Sequence, residues 1–379
     1  MTQNPTLIID DSIHDQDLYY VTRFLAQDQF LYLNSGKREI LLISQMELGR
    51  ALNESRITDV RTTADYNIIE KSKRYGRETA YNLVVAELLH DEGITRIEVP
   101  HNFPLFLADD LRSRGIEVVP ARGWISELRT VKTRGEIEQI RKAQECCEAA
   151  MKRAIDAIRS AGVRDRVLVD QVYSGDPVDS ADLGPALTSE RIRAVIEHTL
   201  IDCGCESCST IVAGGKDGAE PHNMGAGMLK ADESIVIDIF PRLEKERYYA
   251  DMTRTVARGN PSQALIEMYE AVLDAQSAAI QVVRAGVSGD EVHGVVCDLF
   301  DDRGYRKLFP HSTGHGVGLD VHEAPAVASG GEVLKAGNVV TIEPGLYDPA
   351  VGGIRLEDLV VVTESGCENL TKMEKRFLV

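Results

Sequence analysis

Leu229-Lys230-Ala231-Asp232-Glu233-Ser234-Ile235-Val236-Ile237-Asp238 aligns without a gap with Leu334-Lys335-Ala336-Gly337-Asn338-Val339-Val340-Thr341-Ile342-Glu343. Each stretch predicts a turn that runs into a β-strand and ends in a carboxylate. A second acid follows at similar spacing, Asp251 in the first half and Glu357 in the second, each at the start of another apolar run. The sequence therefore predicts an internal duplication, and we expect the four carboxylates to converge on a pseudo-twofold axis.

Two long amphipathic helices repeat the same duplication. Thr133 and Glu136 form a capping-box pattern that predicts a helix ending at Gly162. Asn260-Pro261 predicts the N-cap and first residue of a second helix, which stops at Gly286. The two helices end in similar strings, Arg159-Ser160-Ala161-Gly162-Val163 and Arg284-Ala285-Gly286-Val287.

Each long helix is expected to be followed by a shorter one. In the first half the shorter helix covers Leu187 to Cys203, after a polar segment from Arg164 to Pro185 that is interpreted as an inserted loop of unassigned role. In the second half it covers Val292 to Phe300 and is opened by a capping box of Ser288 with Glu291.

The first third of the chain has a different pattern, in which strands alternate with helices. Apolar runs at 30–33 and 38–43 flank Asn34-Ser35-Gly36-Lys37 and predict a hairpin, and 95–99 and 116–119 are further strands after helical stretches. Residues 120–129, which include Trp124, interrupt the periodicity and are expected to connect two domains. We therefore predict an α/β N-terminal domain at 1–128 and a second domain at 129–379.

The overall charge excludes some classes of partner. The 379 residues include 42 basic and 60 acidic side chains, a net charge of -18, which repels nucleic acid and anionic membranes. Met1 to Asp17 lacks the pattern of a secretion signal, so a cytoplasmic protein is expected. An odd number of cysteines, seven, favours reduced thiols, and Cys203, Cys205 and Cys208 have no second pair to complete a zinc site.

The acids themselves predict metal binding. Asp238 and Glu343 lie in runs apolar enough to be buried, and a buried carboxylate must be paired or bind a metal. Four carboxylates near one point would repel one another unless divalent cations lie between them, and oxygen ligands with one imidazole suit manganese, cobalt or zinc. The glycine-rich loop His311 to Glu323, which holds three histidines, supplies that imidazole.

These motifs together resemble the pita-bread metallopeptidases, in the branch of Xaa-Pro aminopeptidases and prolidases. The resemblance covers residues from about 130 to the C-terminus and rests on five strings, Ile-Asp-Ile (237–239), Asp-Met-Thr-Arg-Thr (251–255), Gly-His-Gly-Val-Gly with a following His-Glu (314–323), Ile-Glu-Pro-Gly-Leu-Tyr (342–347) and Arg-Leu-Glu-Asp (355–358). It implies an α+β pita-bread catalytic domain with an internal pseudo-twofold duplication, preceded by a creatinase-type N-terminal domain.

The resemblance also implies which residues form the site. Asp251 and Glu357 would bridge two divalent ions, Asp238 would bind one ion, and His315 and Glu343 would bind the other. Glu343 is also the expected proton shuttle, and two more histidines are expected to be catalytic, His322 as a donor to the oxyanion and His222 on the leaving side of the peptide. His311, Tyr347 and Arg355 would bind substrate, with an ordinary ion pair as the alternative for Arg355. Gly214 and Gly314 each precede one of the catalytic histidines by eight residues, which suggests that His222 and His322 are symmetry mates.

The implied activity is removal of the N-terminal residue from a peptide with proline second, through attack by hydroxide shared between the two metal ions. Manganese is the expected ion, with cobalt, zinc or iron as alternatives, and a homodimer is expected. The first alternative function is a methionine aminopeptidase, although Leu356-Glu357-Asp358-Leu359 has the proline-peptidase form. The other alternative is an inactive pita-bread module that only binds peptides or proteins.

Overall fold

A sheet and a set of helices account for the first part of the molecule. A computed structural model describes residues 4–121, 123–171 and 183–379. The chain divides into two units, Met1–Arg129 and Thr130–Val379. None of the described helices combines the length and the apolar character that a membrane span requires.

Within the described residues, the first unit contains a six-stranded mixed sheet in the order β4-β3-β2-β1-β5-β6. Its strands are β1 (Thr6–Asp10), β2 (Phe30–Asn34), β3 (Glu39–Ile43), β4 (Asp59–Thr62), β5 (Arg96–Val99) and β6 (Glu117–Pro120). Its helices are α1 (Gln16–Thr22), α2 (Leu48–Glu54), α3 (Ile68–Tyr75), α4 (Arg77–Asp91), α5 (Leu105–Ser113) and α6 (Trp124–Thr130). Successive side chains of the central strands are buried in two separate apolar clusters, one on each face, as the predicted α/β architecture requires.

Two sequence predictions for this unit have different outcomes. The hairpin is confirmed, because β2 and β3 pair antiparallel around a short turn. The segment 120–129, expected to connect two domains, is largely helical, because α6 occupies most of it. Ile125 is buried in a helix of only seven residues, so the helix has too few apolar positions to produce a periodic pattern.

In its described residues, the second unit contains four further α-helices and short antiparallel sheets. The helices are α7 (Arg134–Ser160), α8 (Ser189–Asp202), α9 (Gln263–Val282) and α10 (Gly289–Asp302). The strands are β7 (Gly162–Arg164), β8 (Val167–Gln171), β9 (Leu183–Ala186), β10 (Cys205–Glu206), β11 (Ile211–Gly214), β12 (Ser234–Ile239), β13 (Arg242–Leu243), β14 (Met252–Ala257), β15 (Gly314–Gly316), β16 (Glu323–Val327), β17 (Val339–Ile342), β18 (Gly345–Asp348), β19 (Gly352–Arg355), β20 (Asp358–Val362) and β21 (Cys367–Asn369).

The capping boxes predicted at Thr133 and Ser288 are both present and open α7 and α10. The predicted bounds of α9 are wrong at both ends. Its N-cap is Ser262, whose hydroxyl accepts from Leu265, because the backbone of Asn260 is held by Asp232. Its C-terminus comes before Gly286, because the amide groups of 285 and 286 donate to carbonyl groups outside the helix.

The segment interpreted as an inserted loop is partly a sheet. β7, β8 and β9 form an antiparallel three-stranded sheet, and the remaining residues of that segment, 172–182, lie outside the described part of the chain. The helix that follows begins at Ser189 rather than Leu187, because the backbone of Leu187 pairs with Leu168 and Leu229.

The predicted duplication appears as two similar sheets. In the first half β11 pairs with β12 and β12 with β14, and in the second half β15 pairs with β17 and β17 with β20, all antiparallel. β16 and β21 extend the second sheet on either side. Each half also contributes a pair of helices, α7 with α8 and α9 with α10, whose buried faces belong to two apolar clusters.

The contacts between the halves include a buried ion pair and a close approach of two glycines. Arg254 of β14, which is 1% exposed, donates to the carboxylate of Asp358 in β20 at 2.9 Å and to the carbonyl oxygen of Glu357 at 2.7 Å. Gly353 of β19 lies against Gly218, where a β-carbon on Gly353 would be 1.7 Å from the carbonyl oxygen of Gly218. A larger residue at Gly353 would therefore push the halves apart.

We expect Arg254→Met to destabilise the protein by about 3 to 5 kcal/mol, because it removes one partner of a buried ion pair and leaves backbone carbonyl groups without donors. Urea denaturation of the full chain measures the change. Arg303→Met is the control, since Arg303 pairs with Asp274 at the surface, and it should cost less than about 1 kcal/mol. Equal effects of the two substitutions would contradict the structural role of Arg254.

Candidate metal centre

The four predicted acids lie at equivalent places in the two sheets. Asp238 lies near the end of β12 and Glu343 directly after β17, while Asp251 and Glu357 directly precede β14 and β20. In each half the antiparallel register brings the end of one strand, β12 or β17, beside the start of its partner, β14 or β20. The pairs Asp238 with Thr253 and Ile342 with Asp358 show this register. The duplicated strand pair thus brings two acids from each half to one place.

Three of these acids are buried. Asp238 is 8% exposed, Asp251 4% and Glu357 2%. Burial, together with the negative charge of neighbouring carboxylates, raises the pKa of Asp251 and of Glu357 well above the usual range. Such a cluster requires either bound protons or a cation.

The donor atoms fit a divalent cation. Asp251, His315 and Glu357 each offer a ligand atom, and these atoms lie within 4.8 Å of one another. His315 is oriented for this role, because its Nδ1 lies 3.1 Å from the carbonyl oxygen of Gly316 and donates to it, which leaves Nε2 facing the acids. Carboxylate oxygens with one imidazole are a donor set typical of manganese, cobalt or zinc sites.

Two predicted ligands have other partners in the structure. Oδ2 of Asp238 accepts a hydrogen bond from Arg355 Nη2 at 2.6 Å, whereas Oδ1 is buried and has no hydrogen-bond partner. Oε1 of Glu343 lies 3.3 Å from His315 Nε2. Burial would raise the pKa of Glu343, but the hydrogen bond and charge of His315 lower it to about 2. Asp238 and Glu343 therefore line the same centre without joining the group of three.

Arg355, predicted to bind substrate, is fixed by several hydrogen bonds. Besides Asp238, it donates to the hydroxyl of Tyr347 at 2.9 Å and to the hydroxyl of Thr253 at 3.1 Å. The hydroxyl of Thr253 donates to Glu357 at 2.8 Å. Thr253 is a residue to which the sequence assigned no role, although it stands two positions after Asp251 in a quoted motif, and strand alternation could have placed it on the same face.

His311 continues this network. Its Nδ1 lies 2.7 Å from the carbonyl oxygen of Ser312, which can only accept, so the proton is on Nδ1 and Nε2 accepts from Tyr347 at 2.9 Å. Burial lowers the pKa of His311, which keeps the ring neutral, and raises the pKa of Tyr347 to about 12. The three predicted substrate residues thus form one connected chain, His311–Tyr347–Arg355.

The two remaining histidines lie in exposed positions beside the centre. His222 and His322 both line a cavity of about 600 Å³ together with the acids. The ring of His322 meets that of His315 edge to face at 4.2 Å between centroids. Burial, then the charge of His315, lowers the pKa of His322. The cavity therefore has a histidine from each half of the duplication.

An apolar wall completes the cavity, formed by Ile211, Met224, Phe240 and Val321. Ile211 pairs with Asp238 across the sheet, and Phe240 follows Asp238 by two positions, so all three side chains point to the same face. Ile211, Met224 and Val321 were not predicted from the sequence to line the site. The i, i+2 spacing from Asp238 was the available signal for Phe240.

All seven cysteines are free thiols. Within the described residues, the metal-type group of three contains no cysteine. The cluster Cys203, Cys205 and Cys208 has no part in the centre.

Comparison with known proteins gives consistent matches. The model of metallopeptidase family M24 matches residues 138–364. A curated relative, the Xaa-Pro dipeptidase of Pyrococcus furiosus, is 35% identical over 258 residues, which are 67% of this chain and 66% of that protein. The chain thus spans slightly less than two thirds of this relative.

Two solved structures match nearly the whole chain. The Xaa-Pro dipeptidase from Bacillus anthracis superposes with a TM-score of 0.82 at 27% identity, covering 99% of this chain and 95% of that one. The X-Pro aminopeptidase from Thermotoga maritima has a TM-score of 0.79 at 29% identity, covering 99% and 96%. These matches confirm the predicted fold class, an α/β N-terminal domain before a pita-bread catalytic domain.

For the metal-free protein we expect Glu357→Gln to be more stabilising at pH 8 than at pH 5.5. A carboxyl group with a raised folded-state pKa keeps a proton that the unfolded chain releases above about pH 4, so its contribution to stability is lost as pH rises. Urea denaturation of the wild type and the variant in EDTA measures the free energy of unfolding of each protein at each pH. Comparing the two proteins removes the contribution of titrating groups that the substitution does not affect. An equal effect of the substitution at both pH values would contradict the raised pKa.

Proposed function

Because the chain belongs to metallopeptidase family M24, we propose that it is a two-metal exopeptidase that hydrolyses the bond between an N-terminal residue and a following proline. The observation that carries this proposal is the buried group of Asp251, His315 and Glu357 beside a cavity that a peptide terminus can enter. The relatives named Xaa-Pro dipeptidase and X-Pro aminopeptidase support the choice of substrate.

Five residues would hold the metal ions, namely Asp238, Asp251, His315, Glu343 and Glu357. The unpartnered Oδ1 of Asp238 is the ligand atom proposed for that residue, because Arg355 already occupies Oδ2. When bound, divalent cations supply Lewis acidity, which polarises a carbonyl group and lowers the pKa of water from about 15.7 toward neutrality.

The chain's own side chains then handle protons and orientation. Glu343 is the proposed proton shuttle, because its carboxylate is more exposed to the cavity than those of Asp251 and Glu357. His322 donates to the carbonyl oxygen as negative charge develops there, and His222, on the other half of the duplication, contacts the departing part of the peptide.

Two groups of residues are proposed to recognise the peptide. The connected chain of His311, Tyr347 and Arg355 holds the peptide at and beyond the proline ring. The apolar wall, with Phe240 next to Asp238, surrounds the side chain of the first residue, which favours an apolar residue at that position.

Three finer features belong to the proposal as well. Manganese is the proposed ion, with cobalt, zinc and iron as alternatives. A cytoplasmic location and a homodimer are also proposed, the location because all seven cysteines are free thiols and the homodimer because a second copy would help to close the site.

We expect peptides that begin Leu-Pro to be cleaved with a kcat/KM at least about tenfold higher than the same peptides with alanine second, because the site holds a ring and needs no amide hydrogen at that position. Assays with each metal added back, on Leu-Pro and Leu-Pro-Yaa, also separate dipeptidase from aminopeptidase preference. Equal kcat/KM for proline and alanine would refute the specificity, and preference for N-terminal methionine would favour a methionine aminopeptidase.

We expect His322→Ala to lower kcat by about 10² to 10³ while metal content stays at the wild-type level, since the residue is proposed to act on substrate and not as a ligand. Metal analysis of the purified variant beside its kinetics tests this. His198→Ala, at an exposed position of α8, is the control and should change neither quantity. Loss of metal in proportion to activity would make His322 a ligand instead.

A further inference from the structure

Lys132 and Glu323 form a buried ion pair across 191 positions of the sequence. The ammonium nitrogen lies 2.5 Å from Oε1 of Glu323, and the two side chains are 1% and 10% exposed. Lys132 is not among the described residues that line the cavity. Its ion pair with Glu323 connects its ammonium group to the loop that carries two histidines of the site.

Glu323 stands between two histidines of the site. It directly follows His322, and as the first residue of β16 it pairs with Gly316, the neighbour of His315. The loop between them is folded around the Glu323 carboxylate, since a β-carbon on Gly318 would lie 2.4 Å from Oε1. The amide of Asp320 in this loop also donates to Oε2 of Glu323 at 3.5 Å, so displacing the carboxylate would remove a support of the loop between the two imidazoles.

Lys132 is also hydrogen-bonded to the segment that leads into β17, the strand directly before Glu343. Its backbone amide donates to the carbonyl oxygen of Gly337 at 2.8 Å, and the side chain of Asn338 donates to the carbonyl oxygen of Thr130 at 2.7 Å. Gly337 and Asn338 directly precede β17. These hydrogen bonds thus hold the backbone at Lys132 in a fixed position relative to β17 and Glu343.

Stability alone is a weak reason for such a pair. Removing two charges from water costs about as much as their attraction returns, and apolar replacements of buried ion pairs are often neutral or stabilising. A buried ion pair does fix the positions of the two side chains that form it. Here it fixes the orientation of the loop that carries His315 and His322.

We propose that Lys132 is a positioning residue, whose ion pair with Glu323 fixes the loop that aims His315 and His322 at the metal centre and its substrate. Its effect on turnover rests on the proposed peptidase function. Its effect on metal binding depends only on the position of His315.

The test compares Lys132→Met with the double variant Lys132→Met/Glu323→Met in the full chain. The single variant leaves a buried carboxylate without this partner and could fail to fold, whereas the double variant removes both charges and should keep a melting temperature near that of the wild type. In the double variant we expect kcat on Leu-Pro to fall about 10- to 100-fold with KM within about threefold, and the Kd for Mn²⁺ to rise by a similar factor. Lys132→Arg keeps the charge and should retain more activity than the double variant.

Lys152→Met is the control, since Lys152 forms only an exposed pair within α7, and it should leave kcat and Kd unchanged. A folded double variant with wild-type kcat and wild-type Kd for Mn²⁺ would overturn the proposal. If the wild type has no activity on either Leu-Pro or Leu-Pro-Yaa but the double variant still binds Mn²⁺ more weakly, the peptidase function fails and the positioning role stands.

Discussion

The repulsion among carboxylates held out of water is the constraint on which the catalytic unit depends. Three of the four acids are less than a tenth exposed, and each lies at the end of a strand whose side chains fill an apolar core. Strands fix the carboxylates too firmly for them to turn away from one another. The structure therefore needs positive charge at this place, and it provides part of it through Arg355 and leaves the rest to the cations that the donor atoms fit.

The duplication determines where the strands and acids of the site lie, and residues that are present in only one half add to its chemistry. Both halves present a strand pair, two acids and one exposed histidine to the cavity. His315, Arg355 and the Lys132–Glu323 pair have no equivalent among these repeated features. A peptide bond is asymmetric, so a centre that cleaves it must distinguish the carbonyl side from the amine side. The residues that have no counterpart in the other half can provide that distinction.

Features encoded within a few residues could be predicted from the sequence, and those that depend on distant partners could not. The box of Thr133 with Glu136 and the strand-borne acids needed only local patterns. The start of α9 was misplaced because Asn260 is held by Asp232, which lies 28 positions earlier. The alternative expected for Arg355, an ion pair, is what the structure contains, but its partner Asp238 is 117 positions away and no spacing rule identifies it. The same holds for the apolar wall, whose members come from four separate segments.

The close approach of Gly353 to Gly218 has a consequence for how such a molecule can change over time. A duplicated sequence is ordinarily free to diverge, because each copy can accumulate substitutions that the other need not match. Here a β-carbon on Gly353 would meet the backbone of Gly218, so any replacement at Gly353 must be answered by a retreat of backbone in the other copy. Sequence drift in one copy is thus restricted at this contact by the shape of its twin.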